Sequence, residues 1–470
     1  MLALFIFLYL GGTLLVGILA SRFVKSSMDF VLAGRNLPAF LATSALFATW
    51  FGSETILGAS SEFVKKGILG IIEEPLGASL CLFLVGAFFA RTFYRMNLVT
   101  IIDFFGVKFG RKAEIIAAIC IIPSYFGWVA AQLVALGIIL HSVTGISMVS
   151  GIFIGASIVV LYTFVGGMWA ISITDFLQTI IIVIGLSLLL YELVPAAGGF
   201  QAIVKKTGPG FFRPFPKTDY ISLTNYFVAW ITVSLGSIPQ QDIFQRVMSS
   251  RSEKVAVSSS YLAGALYLSI AFLPLFAALA ATQVYPEILQ TNPQEILPTV
   301  VQKHMPLFIQ VIFLGALLSA IMSTASGAIL APASVLGENI IKPLIKELDD
   351  KKHLLLLRIS VFLIALIGTA FALHRSNIYE LVAEASSISL VSLFVPLLGG
   401  LLWKRSSAVG AILAMVLGLG TWFFFRVSSF AFPPPVLPGL AASFLGLLAG
   451  TYLFRNKEYT DSLNNVEING

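Results

Sequence analysis

Phe47-Ala48-Thr49-Trp50-Phe51-Gly52-Ser53-Glu54-Thr55-Ile56-Leu57-Gly58 puts two glycines, three hydroxyls and a carboxylate inside an apolar run reaching from residue 40 to 62. Hydrocarbon offers no water to freed backbone groups, so such an interruption survives only where it is buried in protein or lines a cavity. A second interruption, Gly236-Ser237-Ile238-Pro239-Gln240-Gln241-Asp242, ends the apolar run 224 to 240. Its proline removes a backbone donor, and two glutamines follow. Either break alone is equally well a structural kink. Two breaks at matching places in two halves of a chain point to a midplane binding site, because unwound backbone exposes carbonyls and half-helix dipoles there.

The rest of the chain is made for hydrocarbon. Of its 470 residues, 58% are hydrophobic and only 11% charged, with a mean hydropathy of +0.94. A soluble globule carries about 25% charged residues. The fold class is therefore an all-α polytopic membrane protein. Thirteen runs are long enough to cross about 30 Å of hydrocarbon: residues 2–21, 40–62, 68–90, 113–141, 147–166, 171–194, 224–240, 256–283, 307–336, 354–373, 378–403, 407–425 and 434–454. The broken runs are the second and the seventh. That spacing predicts two five-helix repeats of opposite orientation, helices 2–6 over residues 40–194 and helices 7–11 over residues 224–403, within one transporter domain spanning 1–470.

Basic residues set the orientation. With the N-terminus outside, 20 of the 29 Lys and Arg, including Arg35, Arg111, Arg246 and Arg358, fall on the inner side. The expectation is an N-terminus outside and a C-terminus in the cytoplasm, in a plasma or bacterial inner membrane. The net charge of +6 then follows from loop asymmetry and gives no reason to expect nucleic acid. The first run has no basic residue ahead of it and reads as a span rather than a cleaved signal. The short extramembrane ends leave no room for a second soluble domain.

Ser319-Ala320-Ile321-Met322-Ser323-Thr324-Ala325-Ser326-Gly327 sets four hydroxyls in the ninth run. Small hydroxylated residues allow close helix packing. Facing one cavity, they also supply hard oxygen ligands to a small cation. Glu54, Glu73, Glu74 and Asp175 lie in or at the ends of apolar runs, and acids in such places mark ion or substrate paths or sit at solvated helix ends. Cys81 and Cys120 fall in apolar runs as packing residues. No phosphate-binding loop, His/Cys/carboxylate cluster or nucleophile and base pair is visible, so the chain reads as neither an ATP-driven pump nor an enzyme.

Taken together, several motifs resemble the sodium/solute symporters, a family that includes proline, sugar, sialic acid, pantothenate and high-affinity choline carriers. They are Leu32-Ala33-Gly34-Arg35-Asn36-Leu37-Pro38, Tyr162-Thr163-Phe164-Val165-Gly166-Gly167-Met168-Trp169-Ala170, Thr174-Asp175-Phe176-Leu177-Gln178 and Ser319 to Ser326. The resemblance, running from about Asp29 to Leu401, implies a LeuT-type fold. It implies a sodium ion held by the carbonyls of Ala48, Phe51 and Ala320 and the hydroxyls of Ser323 and Thr324. Some relatives hold a second sodium with the acid at Asp175 and a serine where this chain has Ala320; Ser319 is one residue away, so one ion is expected and two are possible.

The solute is less sharply indicated. Gly236 to Val247 and Ala48-Thr49-Trp50 look most like the choline branch, with Trp50 and Trp128 at two aromatic positions of its cage, suited to cation–π attraction. Gln240 stands where those carriers place a tryptophan. Comparison with the sugar branch puts Thr55 and Glu74 at contact positions, and with Gln240 and Gln241 they suit a polar solute. Trp50 and Trp128 would serve equally as packing aromatics. An amine, amino acid, sugar or carboxylate all remain open. The expected function is sodium-coupled symport of a small polar organic solute by alternating access. Proton coupling through Glu54, Glu74 or Asp175, and a substrate sensor that does not transport, are the alternatives.

Overall fold

The computed structural model describes residues 2–290, 292–345, 348–374, 377–428 and 432–454. Lys346 and the tail basic residues Arg455 and Lys457, which contribute to the orientation argument, lie outside these. The chain is 86% helical, with no strand among the described residues. Among the described residues, ten helices are long and apolar enough to cross a membrane, or eleven when one bent pair is taken as a single span. By length and composition the helices number about ten, set against the thirteen apolar runs expected from the sequence.

The difference lies in two long stretches. The first half of the chain forms the helices α1 (Leu2–Ala20), α2 (Ala39–Trp50), α3 (Glu54–Met96), α4 (Ile101–Phe109), α5 (Arg111–Thr144) and α6 (Met148–Ala196). The second half forms α7 (Tyr220–Gly236), α8 (Gln241–Ser249), α9 (Glu253–Val284), α10 (Leu307–Leu344), α11 (Asp350–Ala372), α12 (Ile378–Leu402), α13 (Ala408–Val427) and α14 (Val436–Leu453). The expected third span is absorbed into α3, and the fifth and sixth are both in α6. The 49 residues of α6, at about 1.5 Å each, are far longer than one crossing. Its helix is interrupted at Gly167, where φ is +49° and a Cβ would sit 2.5 Å from the carbonyl oxygen of Phe30. Only glycine fits that backbone and that contact. α3 is bent at Glu74, whose φ and ψ of −141° and 116° leave the helical region.

Both breaks read from the sequence are present. α2 ends at Trp50; Phe51 has ψ of 69°, and helical structure resumes at Ser53–Glu54. α7 and α8 meet at 44° across Ser237–Gln240. α2 packs against α6, α9 and α10, α8 against α9 and α10, and α7 against α3 and α12, while Leu4, Phe7, Phe371 and Phe444 are exposed on the perimeter. An apolar exterior around a polar-dotted interior is the arrangement that hydrocarbon selects, since lipid solvates Leu and Phe but not hydroxyls or acids. One parallel bridge joins Leu37, just ahead of α2, to Ser250, just after α8, through Leu37 N to Ser249 O at 3.0 Å and Arg251 N to Leu37 O at 2.9 Å. It ties the approach to the first broken helix to the exit of the second.

Candidate ion and solute site

The break after α2 faces the hydroxyl cluster on α10. Thr324 donates its hydroxyl to the Ala48 carbonyl over 2.9 Å. Ser323, one residue earlier, donates to Asp175 Oδ1 on α6 over 2.5 Å. The second oxygen of Asp175 is buried without a hydrogen-bond partner. Tyr162 donates to the Met322 carbonyl over 2.6 Å, holding α6 against this turn of α10. Ala48, Ser323, Thr324 and Asp175 are thus brought to one place. Phe51 and Ala320 lie next to α2 and on α10, fully buried.

Ser319 is placed elsewhere. Its hydroxyl donates to Gly315 O over 2.7 Å and also meets the Tyr9 hydroxyl of α1. Asp175 is therefore bonded to Ser323 and Ser319 to α1, so the hydroxyl joined to the acid is one from the first proposed ion site.

Gly52 explains why the break is so tight. A Cβ there would lie 2.6 Å from Thr324 Oγ1, 2.7 Å from Glu54 Oε2 and 2.9 Å from Gln132 Oε1. Gln132 of α5 closes the break: its carbonyl oxygen accepts from Ser53 N at 3.0 Å, and its amide donates to Glu54 Oε2 at 2.7 Å. One side chain thereby satisfies a backbone donor freed by the unwinding and one oxygen of a buried acid. The sequence reading did not single out Gln132. Its signal is a lone amide amid the apolar residues from Val129 to Leu140.

On the far side of α2 the solute candidates cluster. Trp50 and Trp128 rings are 5.9 Å apart at 78°, and Tyr125 stacks on Trp128 at 6.1 Å and 9°. Thr55 donates to the Trp50 carbonyl over 2.9 Å and lies 2.6 Å from the Tyr267 hydroxyl of α9. Tyr267 in turn donates to Glu74 Oε1. Trp50, Thr55, Glu74 and Trp128 accordingly belong to one buried neighbourhood, with Tyr267 as a member that the sequence did not reveal. Gln240 caps the bend into α8, fully buried, with neither amide atom hydrogen-bonded. Gln241 is committed at one end, accepting from Ile101 N of α4 at 2.8 Å. That bond couples α8 to the start of α4.

Arg246 was counted from the sequence among the inner-side charges of the loops. It is instead 1% exposed within α8, donating to Ala45 O at 2.8 Å and to Asp242 O at 3.3 Å. A Cβ on Gly327 would be 2.3 Å from one of its guanidinium nitrogens. Removing it from the tally leaves the inner excess of basic residues intact.

The sequence profile of the sodium:solute symporter family matches residues 30–418. The chain belongs to the sodium:solute symporter family. Within it, the human high affinity choline transporter 1 is 31% identical over 432 residues, covering 86% of this chain and 73% of that one. The high-affinity proline transporter PutP of Bacillus subtilis is 28% identical over 477 residues, covering 97% and 99%. Among solved structures, a substrate-bound, outward-open Na+-coupled sialic acid symporter superposes with a TM-score of 0.82 at 19% identity, over 97% of this chain and 98% of that one. A nucleobase-cation-symport-1 transporter superposes with a TM-score of 0.59 at 16% identity, over 89% and 93%. These likenesses establish a LeuT-type fold. Membership in the sodium:solute symporters makes the chain an integral membrane transport protein and implies sodium as its coupling ion.

Proposed function

We propose that this chain imports a small polar organic solute together with sodium by alternating access. The observation that carries the reading is the juxtaposition of the Ala48 carbonyl with Thr324 Oγ1 at 2.9 Å, beside Ser323 and a half-partnered Asp175. In this reading the carbonyls of Ala48, Phe51 and Ala320 and the hydroxyls of Ser323 and Thr324 hold the ion. Neutral oxygen dipoles bind a monovalent cation reversibly. Asp175 lends a negative charge through Ser323, which fits one ion here better than a second ion at Ser319. The solute lies among Trp50, Trp128, Thr55, Glu74 and Gln240, with Gln241 holding the start of α4 against α8.

Dividing α3 at Gly67 so that its first limb continues the α2 span, dividing α6 at Gly167, and taking α7 with α8 as one span, gives thirteen crossings. Residues 40–194 and 224–403 then form the two inverted repeats, with the N-terminus outside and the C-terminus inside. Sodium entering from outside holds α2 to α10, and solute binding permits one bundle to rock against the other. The membrane potential contributes about 2.3 kcal/mol per charge per 100 mV, which corresponds to about fiftyfold accumulation. The test is uptake into proteoliposomes by the double variant Ser323→Ala/Thr324→Ala. Loss of sodium-dependent accumulation with normal insertion is expected, and undiminished uptake would overturn the ion site.

A further inference from the structure

Among the described residues the core buries four carboxylates, Glu54, Glu74, Asp175 and Asp242, against one guanidinium, Arg246. The buried His353 is engaged separately with Glu338 at 2.8 Å. Arg246 is joined to Asp242 through its own helix and lies within electrostatic range of Asp175. Asp175 has the proposed sodium site for a second neighbour. Glu54 and Glu74 have no cationic partner: Gln132 and Tyr267 are neutral donors, each satisfying one oxygen. Glu54 Oε1 and Glu74 Oε2 are left buried and unbonded. The two acids lie within electrostatic range of each other, on either side of the Thr55–Tyr267 pair.

A second set of observations points to a ligand in the same place. The indole nitrogen of Trp50 is buried with no partner, and the Trp128 indole and the Ser53 hydroxyl lie beside Glu54. Unmatched polar atoms around two aromatic walls make a compartment that a molecule with both a cationic head and hydrogen-bonding groups completes. The pair of walls supplies an attractive face for a cation, and the free carboxylate oxygens accept from N–H or O–H donors, a charged N–H making the stronger bond.

We infer that the solute is a small organic cation without a carboxylate, whose ammonium retains at least one N–H and is held between Glu54 and Glu74 against Trp50 and Trp128. A quaternary ammonium would meet the aromatic walls, but its charged head has no N–H to give either acceptor oxygen a charge-assisted bond. An amino acid would bring a third anion to Glu54 and Glu74, neither of which has a cationic partner among the described residues. This inference rests on the symporter reading above for the role of the bound molecule, but its chemistry is separable from sodium coupling.

The test uses the purified full-length protein and a thermal-shift titration with ethanolamine, its mono- and dimethyl derivatives and choline, with glycine and ethylene glycol as the anionic and neutral comparisons. Each is run in sodium and again in potassium. The expected order is stabilisation by the three N–H amines, choline at least about tenfold weaker, and no response to glycine or ethylene glycol. Glu54→Gln or Glu74→Gln should weaken ethanolamine at least about tenfold. Choline binding as well as ethanolamine, glycine or ethylene glycol stabilising as strongly, no amine stabilising at all, or both Gln variants responding like the wild type would each overturn the inference. Should a Gln variant not fold, the ranking of ligands on the wild-type protein decides alone. Amine stabilisation that is identical in sodium and potassium supports the amine site and counts instead against sodium coupling.

Discussion

Thr324 on α10 reaches across 276 positions of chain to donate its hydroxyl to the carbonyl of Ala48, the residue two before the end of α2. The bond joins the broken helix to the helix that carries the hydroxyl cluster. A cation coordinated by both oxygens would require the hydroxyl proton to rotate away, so ion binding replaces one link between the two helices with a stronger one.

Thr324→Ala removes a proposed ligand while leaving Ser323 and Asp175 in contact. The half-saturating sodium concentration for uptake should rise about tenfold, a loss on the order of 1.4 kcal/mol. Solute uptake measured against stepped external sodium checks this, and an unchanged sodium dependence would remove Thr324 from the ion site.

Gly52→Ala forces a methyl group to within 3 Å of Thr324, Glu54 and Gln132 at once. None of these can withdraw without losing a hydrogen bond at the break. Transport should fall to near background while the protein still inserts, and the sodium-induced thermal shift should be lost with it. Surface expression compared with uptake in the same vesicles separates the two.

Gln132→Leu keeps the volume of the side chain but strands Ser53 N and Glu54 Oε2 in the core. Each unsatisfied buried group costs about 1–3 kcal/mol. A clear fall in melting temperature of the purified protein is expected, larger than for a Leu substitution of the perimeter-facing, already exposed Tyr191.

Arg246→Met leaves Asp242 and Asp175 without their buried cation, a change that costs about 3–5 kcal/mol in comparable settings. Fluorescence-detected size exclusion should report aggregation or greatly reduced yield. Arg246→Lys should recover part of it, because the charge is restored but not the second donor that reaches the Asp242 carbonyl.

Asn339 of α10 donates to Asp103 Oδ1 at 2.6 Å and to Glu114 Oε1 at 2.9 Å, while its own oxygen accepts from Thr100 at 2.8 Å. Asn339→Asp would set a third carboxylate against two and remove both donations. Burial already holds the Asp103 carboxyl above its usual range, so the added charge falls where anions are least well solvated. Marked destabilisation should result, relieved as the pH is lowered and the acids take up protons. A melting temperature independent of pH would count against this account.

Much of the architecture was legible in the residues themselves. Gly52 and Pro239 marked the two breaks because no helix passes them in hydrocarbon without losing backbone bonds, and Ser323 and Thr324 stood out as paired oxygens in an apolar run. Glu54, Glu74 and Asp175 were conspicuous because burying an acid is costly. What the pattern of residues left open was who meets whom. Gln132 is a lone amide and Tyr267 one of two tyrosines in long apolar helices, and their importance lies in the atoms they face, on α2 and α3. Arg246 resembled a loop charge because nothing in its local sequence reveals that Gly327 makes room for its guanidinium. The span count differed for a related reason: a left-handed glycine at 167 turns α6 without the polar loop that separates spans in a hydropathy profile.

The sequence by itself determined the solvent this chain is built for, the places where its helices come apart and the kinds of atom set there, because composition and local backbone chemistry are properties of neighbouring residues. The tertiary structure alone decided that Ser323 pairs with Asp175 while Ser319 turns to Tyr9, and that Gln132 meets Glu54 while Tyr267 meets Glu74. Those pairings join residues from 148 to 310 positions apart in the case of the two serines, and only the packing of helices brings them within reach of a hydrogen bond.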